Sequence, residues 1–423
     1  MIFPVLLARG IKRKVFDALG IELMSDKFNV LAVNYVFLMV YFTLESIYVN
    51  TLLLRLSDGD IQAVLAYRAV TFAFSAVGMS LGSIFSHKIN SVVAIRTAGG
   101  LYVLLFLTMF VGMEHLGSLI FPVGAISGLA VGFYWLGHNV LLTHYTTQHN
   151  RAVGIAIMTV IQGALALSMP LVSGIVIGLS PGMAGYRVMF GVAIGAVLAQ
   201  VAFMRKLSPV SNTQKRGEML LALRLIWRRL MLRIMIAMEF ARGLREGVFI
   251  FFLNILLFEI VSSESLVGFN SFLAGSASIA AAWLYGRIAK PDNRMLMTGI
   301  SATAMLAFCS LLLFALAPVT VILFNVVNAF LAMLIMNCTV NNTFDALGWD
   351  DASRGVMTEL LAYREVAIAC GRIAGVVALS LFPATLQGYV HAMLALIATQ
   401  YLVVLLMYAS RREMVKQEAL RDG

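Results

Sequence analysis

Apolar stretches of about 20 residues, each long enough to cross a hydrocarbon core of about 30 Å as a helix, recur from Val30 almost to the C-terminus. They define spans at 30–54, 61–85, 92–113, 118–142, 152–178, 186–204, 233–258, 265–286, 295–317, 319–342, 356–381 and 389–409. The composition agrees: 61% of the residues are hydrophobic and 12% charged, about half the charged share of a soluble domain, so water is not the main solvent of this surface. The chain reads as an all-α polytopic membrane protein with twelve transmembrane helices.

The formal charge of +10 is informative through its location. With the N-terminus inside, the cytoplasmic segments hold nearly all the bases and the outer loops little beyond Arg55 and Arg187. The positive-inside rule therefore predicts cytoplasmic termini and a cytoplasmic central loop. This distribution points to membrane surface, with no nucleic-acid partner. Met1–Gly20 lacks the long apolar core and cleavage site of a signal peptide; it reads either as an interfacial helix or as a disordered tail. The long break, 205–232, separates six spans from six and carries Arg224, Arg228 and Arg229 among Leu220, Leu221, Leu223 and Trp227, the pattern of a surface helix on anionic lipid headgroups. It divides the chain into an N-terminal unit (1–204) and a C-terminal unit (233–423). Cys309, Cys338 and Cys370 lie in apolar segments without C-x-x-C spacing, which supports neither a disulfide framework nor a metal site.

The halves echo each other at an offset near 200 residues. Gly82-Ser-Ile-Phe-Ser-His-Lys follows span 2 and Ala282-Trp-Leu-Tyr-Gly-Arg follows span 8; Arg151-Ala-Val precedes span 5 and Arg354-Gly-Val precedes span 11. At these residues the chain resembles the major facilitator superfamily, which carries a G-x-x-x-D-R-x-G-R-R type motif between helices 2 and 3 and a weaker copy between 8 and 9. Gly82 and Arg287 fit it, whereas Ser86, His87 and Gly286 depart from it; Met169-Pro-Leu-Val-Ser-Gly174 partly matches the family's helix-5 pattern. The segments from Gly243 and Tyr363 look like bacterial members. The resemblance implies two pseudo-symmetric six-helix bundles in a bacterial inner membrane, alternating access about a midplane site, and gating roles for Gly82, Arg287, Pro170, Arg151 and Arg354. It also implies that helices 1, 4, 7 and 10 line the cavity.

Ionisable groups inside the spans carry the chemistry, because a charge at a helix centre costs about 2.5–3.5 kcal/mol unless paired or wet. Glu239, Arg242, Arg245 and Glu246 of span 7 fall within an arc of about 120°, and Arg364, Glu365 and Arg372 of span 11 within about 100°. Glu45 and Arg68 lie at matching depths in spans 1 and 2, so they are expected to pair, and the offset sets Glu45 opposite Arg245. Two readings stand side by side. In one these groups are structural ion pairs between helices. In the other Arg245 and Arg372, with Arg242, bind an anionic substrate group, and Glu246 or Glu45 carries a proton. Tyr134, His138, Asn139 and Asn337 add neutral polar groups to the expected substrate site. Asp345, Asp350 and Asp351 form an acidic loop that either latches onto bases such as Arg151 or Arg354 or is solvated. Gly124–Gly128–Gly132, Gly78–Gly82 and Gly191–Gly195 have the spacing of close helix packing.

No P-loop, G-x-S-x-G or H-E-x-x-H occurs, so neither ATP-driven transport nor an enzyme is expected, and no cofactor or metal. The sequence predicts a monomeric secondary transporter, proton-linked or facilitative, for a small amphipathic or anionic solute. A lipid or glycolipid flippase, or a non-transporting sensor or assembly partner, are the alternatives.

Overall fold

Ser25 accepts a hydrogen bond from the Phe28 amide and so caps the first long helix, α1 (Asp26–Leu56). The computed structural model describes residues 24–85, 91–146, 151–208, 218–348 and 350–422. The N-terminal stretch 1–20, Ser86, His87 and the Ser/Pro-containing part of the linker lie outside them. A tight turn follows α1, with Asp58 and Gly59 at φ of 51° and 84°. Gly59 meets that left-handed geometry without strain. The first bundle continues with α2 (Ile61–Phe85), α3 (Ser91–Val111), α4 (Ile120–Tyr145), α5 (Arg151–Leu179) and α6 (Ala184–Phe203).

After the linker helix α7 (Met219–Arg228), the second bundle comprises α8 (Leu230–Phe249), α9 (Phe252–Val261), α10 (Glu264–Ile288), α11 (Arg294–Phe314) and α12 (Pro318–Leu347). The short α13 (Asp351–Gly355), then α14 (Met357–Ser380), α15 (Leu386–Ala398) and α16 (Gln400–Asp422) complete it. Ten stretches among the described residues are long and apolar enough to cross a membrane. The α8–α9 pair and α14, whose charges depress their hydropathy, supply the other two crossings. Two expected spans are interrupted. Span 7 breaks at Ile250–Phe251, where Phe251 takes φ −136° and ψ −29°; span 12 divides at Thr399, and its second helix runs on past 409 to Asp422. Neither break has a proline or glycine to announce it.

The packing repeats. In the first bundle α1 packs on α5 and α6, α2 on α4, and α3 on α4 and α6. In the second, α8 packs on α14 and α16, α10 on α12, and α11 on α12 and α15. Across the interface α2 meets α14, α5 meets α10, and α1 meets α9. The start of α1, the end of α16 and α7 lie at one end, here the terminal end; the turns at 57–60 and 262–263 lie at the far end.

Glycines set the closest approaches. Gly124, Gly128 and Gly132 turn toward α2, where an added Cβ would press on the carbonyls of Tyr67, Thr71 and Ser75. The α8–α14 crossing is tighter. Gly243 and Gly247 face Gly371 and Gly375, and a Cβ at any of the four would collide with backbone of the opposing helix. Gly191 and Gly195 correct the expectation from spacing: a Cβ added at either would meet no neighbouring element within 4 Å, so that ridge makes no close approach. α7 lays Ala222 and Ile226 into a small apolar cluster with Leu232, Met235, Leu347 and Leu360, while Leu220 and Trp227 stay exposed. Arg229, beside it, pairs with Asp350.

Because the α8–α14 contact is backbone against backbone, Gly371→Ala is expected to lower stability by about 1–3 kcal/mol, the usual overpacking cost. Gly286→Ala, with nothing within 4 Å, should leave the unfolding temperature of the detergent-purified protein where it is. Equal melting of the two variants would contradict the crossing described.

Candidate functional site at the bundle interface

A cavity of about 730 Å³ lies between the bundles. The first bundle contributes Thr43 and Glu45 from α1, Arg68 and Phe72 from α2, Trp135 and Asn139 from α4, and Gln162 and Pro170 from α5. The second contributes Arg245 and Glu246 from α8, Asn254 from α9, Asn325 and Asn328 from α12, and Glu365 and Arg372 from α14. Its wall is mostly apolar, with Phe42, Phe249, Met39, Met79, Met333 and Met336 between the polar groups, a composition suited to a small organic ligand.

The glycine crossing explains the charges on the second wall. It presses the charged faces of α8 and α14 together, so the carboxylates find guanidinium groups across the contact. Glu246 Oε2 accepts from Arg242 Nη1 at 2.5 Å, and Glu246 Oε1 accepts from Arg372 Nη2. Glu239 accepts from Arg242 Nε and Arg364 Nε, both at 2.8 Å, and from the Thr343 hydroxyl at 2.7 Å. Arg364 Nη1 also donates to Glu365 at 2.8 Å. Such a network offsets the desolvation that lone charges would suffer.

Arg245 stands apart. Its Nη1 donates to Asn328 Oδ1 at 3.0 Å and points to Met305 Sδ at 3.6 Å, and its guanidinium lies 5.3 Å from the centroid of the Phe249 ring. All three are neutral, and the Glu246 carboxylate acts on Arg245 only through space, without a hydrogen bond. Among the described residues Arg245 Nε has no hydrogen-bond partner, nor has Arg372 Nε. The wall thus brings four arginines, 242, 245, 364 and 372, against three glutamates, 239, 246 and 365, a surplus of one positive charge next to an uncommitted pair of donors.

On the first wall the expected Glu45–Arg68 pair does not form. Glu45 Oε1 accepts from the hydroxyls of Tyr67 at 2.7 Å and Ser127 at 2.8 Å. Arg68 instead donates to Asn50 Oδ1 at 2.8 Å and the Ser46 carbonyl at 2.6 Å, and sits over the Tyr67 and Phe251 rings. Those acceptors lie further along α1 than Glu45, toward the far end, which draws the guanidinium away from the carboxylate. Glu45 and Arg245 share the cavity without bonding to each other.

The remaining site candidates divide. Asn139 lines the cavity, whereas Arg242, Tyr134, His138 and Asn337 do not. Tyr134 and His138 turn into the first bundle and are fully buried. The Asn337 carbonyl accepts from the hydroxyl of Tyr285 at 3.3 Å. Among the gating candidates, the Pro170 carbonyl accepts from Tyr48 at 2.6 Å where α5 meets Gly268 of α10. Gly82 faces the Leu136 side chain. Arg287 lies 4.0 Å over Trp283, and Arg354 pairs locally with Asp351 at 3.1 Å. Arg151 opens α5, and its side chain lies outside the described residues. Asp345 and Asp350 pair with Arg294 and Arg229, so the described contacts of the acidic loop stay within α7 and the second bundle.

One cross-bundle tie was not anticipated from sequence. At the far end Arg55 of α1 pairs with Glu264 at the start of α10 at 2.5 Å, and Tyr186 of α6 donates to the same carboxylate oxygen at 3.1 Å. Arg55 also sits over the Tyr186 and Phe258 rings, and Ser265 donates to the Gly174 carbonyl at 3.1 Å. The far end is therefore closed by direct contacts. The only sequence signal was Arg55 itself, a base on the side where bases are scarce.

The two kinds of charge on the second wall differ in what their loss does. Glu246→Gln takes the carboxylate from Arg372 and leaves Arg242 with Glu239 alone, and with Arg372 25% exposed it should cost about 1–3 kcal/mol of stability. Arg245→Met, which removes a cation whose hydrogen-bond partners are neutral and leaves Glu246 its two ion pairs, should be neutral or stabilising. Thermal unfolding of both variants checks this; a large loss for Arg245→Met would make that charge structural.

No protein-family model matches the sequence. The chain is 24% identical over 362 residues to the uncharacterized protein YqgE of Bacillus subtilis (strain 168), covering 84% of this chain and 82% of that one. Its structure is similar to that of a nucleoside transporter, NupG, with a TM-score of 0.69 at 11% identity, covering 91% of this chain and 99% of that one. It is also similar to a bacterial homologue of the iron transporter ferroportin in an inward-facing state, with a TM-score of 0.67 at 13% identity, covering 91% and 98%. Such identities carry the fold alone: the chain has the major facilitator fold, twelve membrane-crossing helices in two pseudo-symmetric bundles of six.

Proposed function

We propose that the protein is a secondary transporter that moves a small organic anion across a bacterial inner membrane by alternating access. The observation that carries this reading is the surplus guanidinium charge of Arg245, buried on the cavity wall with neutral hydrogen-bond partners and with an Nε that, like that of Arg372, has no hydrogen-bond partner among the described residues. A buried cation hydrogen-bonded only to neutral groups is costly, and an anionic ligand is a group that relieves the cost. Both guanidinium groups offer forked donors suited to a carboxylate or phosphate. The Trp135, Phe72 and Phe249 surfaces and the methionines would hold an apolar body, and Asn139, Asn325 and Gln162 its polar substituents. The neighbours' names span iron and nucleosides, so the fold does not set the cargo and the wall residues must.

In this reading the bundles, 1–204 and 233–423, rock about the cavity as two bodies joined by the 205–232 segment, whose α7 rests on anionic headgroups. The base distribution supports cytoplasmic termini, and the far-end closure then leaves the cavity accessible from the cytoplasm. A bound anion competes with Glu246 for Arg372. The displaced carboxylate keeps Arg242 but loses one of its two ion-pair partners, so its negative charge is less fully offset and it becomes the proton acceptor, which links substrate to proton. Glu45, whose described partners are hydroxyls, is the second proton acceptor. Opening the far end requires breaking Arg55–Glu264.

Thermal unfolding of the purified protein against a panel of organic anions tests the site. A ligand at 100 times its Kd should add about 2.7 kcal/mol, lost in Arg245→Gln, with uptake by proteoliposomes showing the same anion preference. Stabilisation that survives both Arg245→Gln and Arg372→Gln would move the site elsewhere. For the far-end tie, Glu264→Gln should favour far-side opening by about 1 kcal/mol, a modest value because Arg55 is 32% exposed. The readout is faster labelling of a cavity cysteine by an impermeant thiol reagent added on the far side; unchanged labelling would remove the pair from the gate.

A further inference from the structure

The first bundle holds a line of polar side chains that lies beside the cavity. Tyr41 donates to Gln200 Oε1 at 2.7 Å, and the Gln200 amide donates to the Asn34 carbonyl at 3.0 Å and to Asn34 Oδ1 at 3.1 Å. Tyr134 donates to the same Asn34 oxygen at 3.4 Å, and its ring stacks on His138 at 5.7 Å. His138 also stacks on Tyr35 at 4.9 Å, and Tyr35 donates to Gln162 Oε1 at 3.3 Å. At the other end the Tyr102 ring packs on Tyr41 at 4.7 Å, and both tyrosines lie within electrostatic reach of Glu45. Ten residues of α1 separate Tyr35 from Glu45, so the line runs about 15 Å toward the terminal end. Glu45 and Gln162, its two ends, line the cavity; the side chains between them do not.

Three atoms along this line have no hydrogen-bond partner among the described residues: the Tyr102 hydroxyl, Asn34 Nδ2 and His138 Nδ1. All three belong to residues no more than 2% exposed. Buried polar atoms are nearly always satisfied, and where protein does not supply the partner, ordered water does. Tyr67, Tyr48 and Tyr186 are as deeply buried, yet each hydroxyl is bonded by protein. The groups facing Glu45 are Tyr67, Ser127, Tyr41 and Tyr102, with Arg68 directed away onto α1. Those facing His138 are Tyr35, Tyr134 and Trp135, none charged.

We propose that this line is a hydrated proton relay, in which water held at Tyr102, Asn34 and His138 completes a path from the terminal-end side of the cavity to Glu45 that bypasses the anion site. Its functional part rests on the proton-linked reading above. A proton enters at the Gln162–Tyr35 edge. Each hydroxyl, water or the imidazole accepts one proton and passes one on, while the Gln200 and Asn34 amides hold the waters in place. The Glu45 carboxylate ends as the acid; no other group changes charge and no electron moves. An anion seated on Arg245 and Arg372 would fill the cavity, and the separate path keeps Glu45 in exchange with solvent while it does.

Radiolytic hydroxyl-radical labelling of the purified full chain tests hydration directly. Tyr102 and Tyr134 should be oxidised well above Tyr67 and Tyr186, and labelling at the level of those two would overturn the proposal. Tyr102→Phe gives a second reading: losing a hydroxyl that binds water lowers the unfolding temperature, whereas losing a dry, unpartnered one raises it, and a rise would equally overturn it. Finally, hydrogen–deuterium exchange of the Glu45 carboxyl, followed by infrared spectroscopy in acidified protein and assigned with Glu45→Gln, should slow by about tenfold in His138→Phe. Unchanged exchange would leave the waters without a relay role and sink it. None of these readouts needs an anion, so failure of anion binding would remove the transport reading while leaving the relay standing or falling on its own results.

Discussion

The contact on which the site depends is the crossing of α8 and α14 through four glycines. Side chains at Gly243, Gly247, Gly371 and Gly375 would hold the helices apart; without them, backbone meets backbone. That proximity lets Glu246 of α8 reach Arg372 of α14, and Glu239 reach Arg364. Seven charged residues can then face a largely apolar interior, because nearly all of them are satisfied by one another. Widen the crossing and the same charges become separate desolvation costs. The exception, Arg245, gains meaning only against that background: it is the charge the network leaves over.

The two bundles divide the labour unequally. The second holds the ionic network and the surplus cation, and its α8 and α9 are broken at Ile250–Phe251 beside the cavity. The first presents aromatic and amide groups, a single carboxylate bonded to hydroxyls, and the Arg68 guanidinium held by Asn50 and the Ser46 carbonyl. Their interface is also uneven along its length. The described ties at the far end include an ion pair, a hydrogen bond to a backbone carbonyl and close glycine contacts at Gly174 and Gly268. The ion pairs described toward the terminal end, from Arg229 to Asp350 and from Arg294 to Asp345, lie within α7 and the second bundle instead.

Much of this was legible in the chain. Hydrophobic runs gave the crossings, and helical periodicity placed Glu239, Arg242, Arg245 and Glu246 on one face before any contact was known. What periodicity could not supply was the azimuth of each helix against its neighbours. Tyr134 and His138 share a face, but that face turns into the first bundle; Gly191 and Gly195 have the right spacing, but face no partner. Depth matching brought Glu45 and Arg68 to one level without revealing that Tyr67 and Ser127 would satisfy the carboxylate first. Gly243–Gly247 and Gly371–Gly375 carried the same four-residue spacing recognised elsewhere, and their proximity to the charges was the signal that would have joined α8 to α14. Arg55–Glu264 joins residues about 200 positions apart and had no local pattern at all.

The ionic network also bears on how the protein can change over generations. A substitution at Glu239, Arg242, Glu246, Arg364 or Arg372 orphans a charge in its neighbours, so viable changes there must come in compensating pairs. Thr43 and Trp135, on the opposite wall, belong to no ion pair among the described residues and can be exchanged singly. Lineages that keep the cationic wall while diversifying the facing one would retain the charge class of their ligand and alter its shape, so descent within this architecture should be recorded as a fixed half and a drifting half.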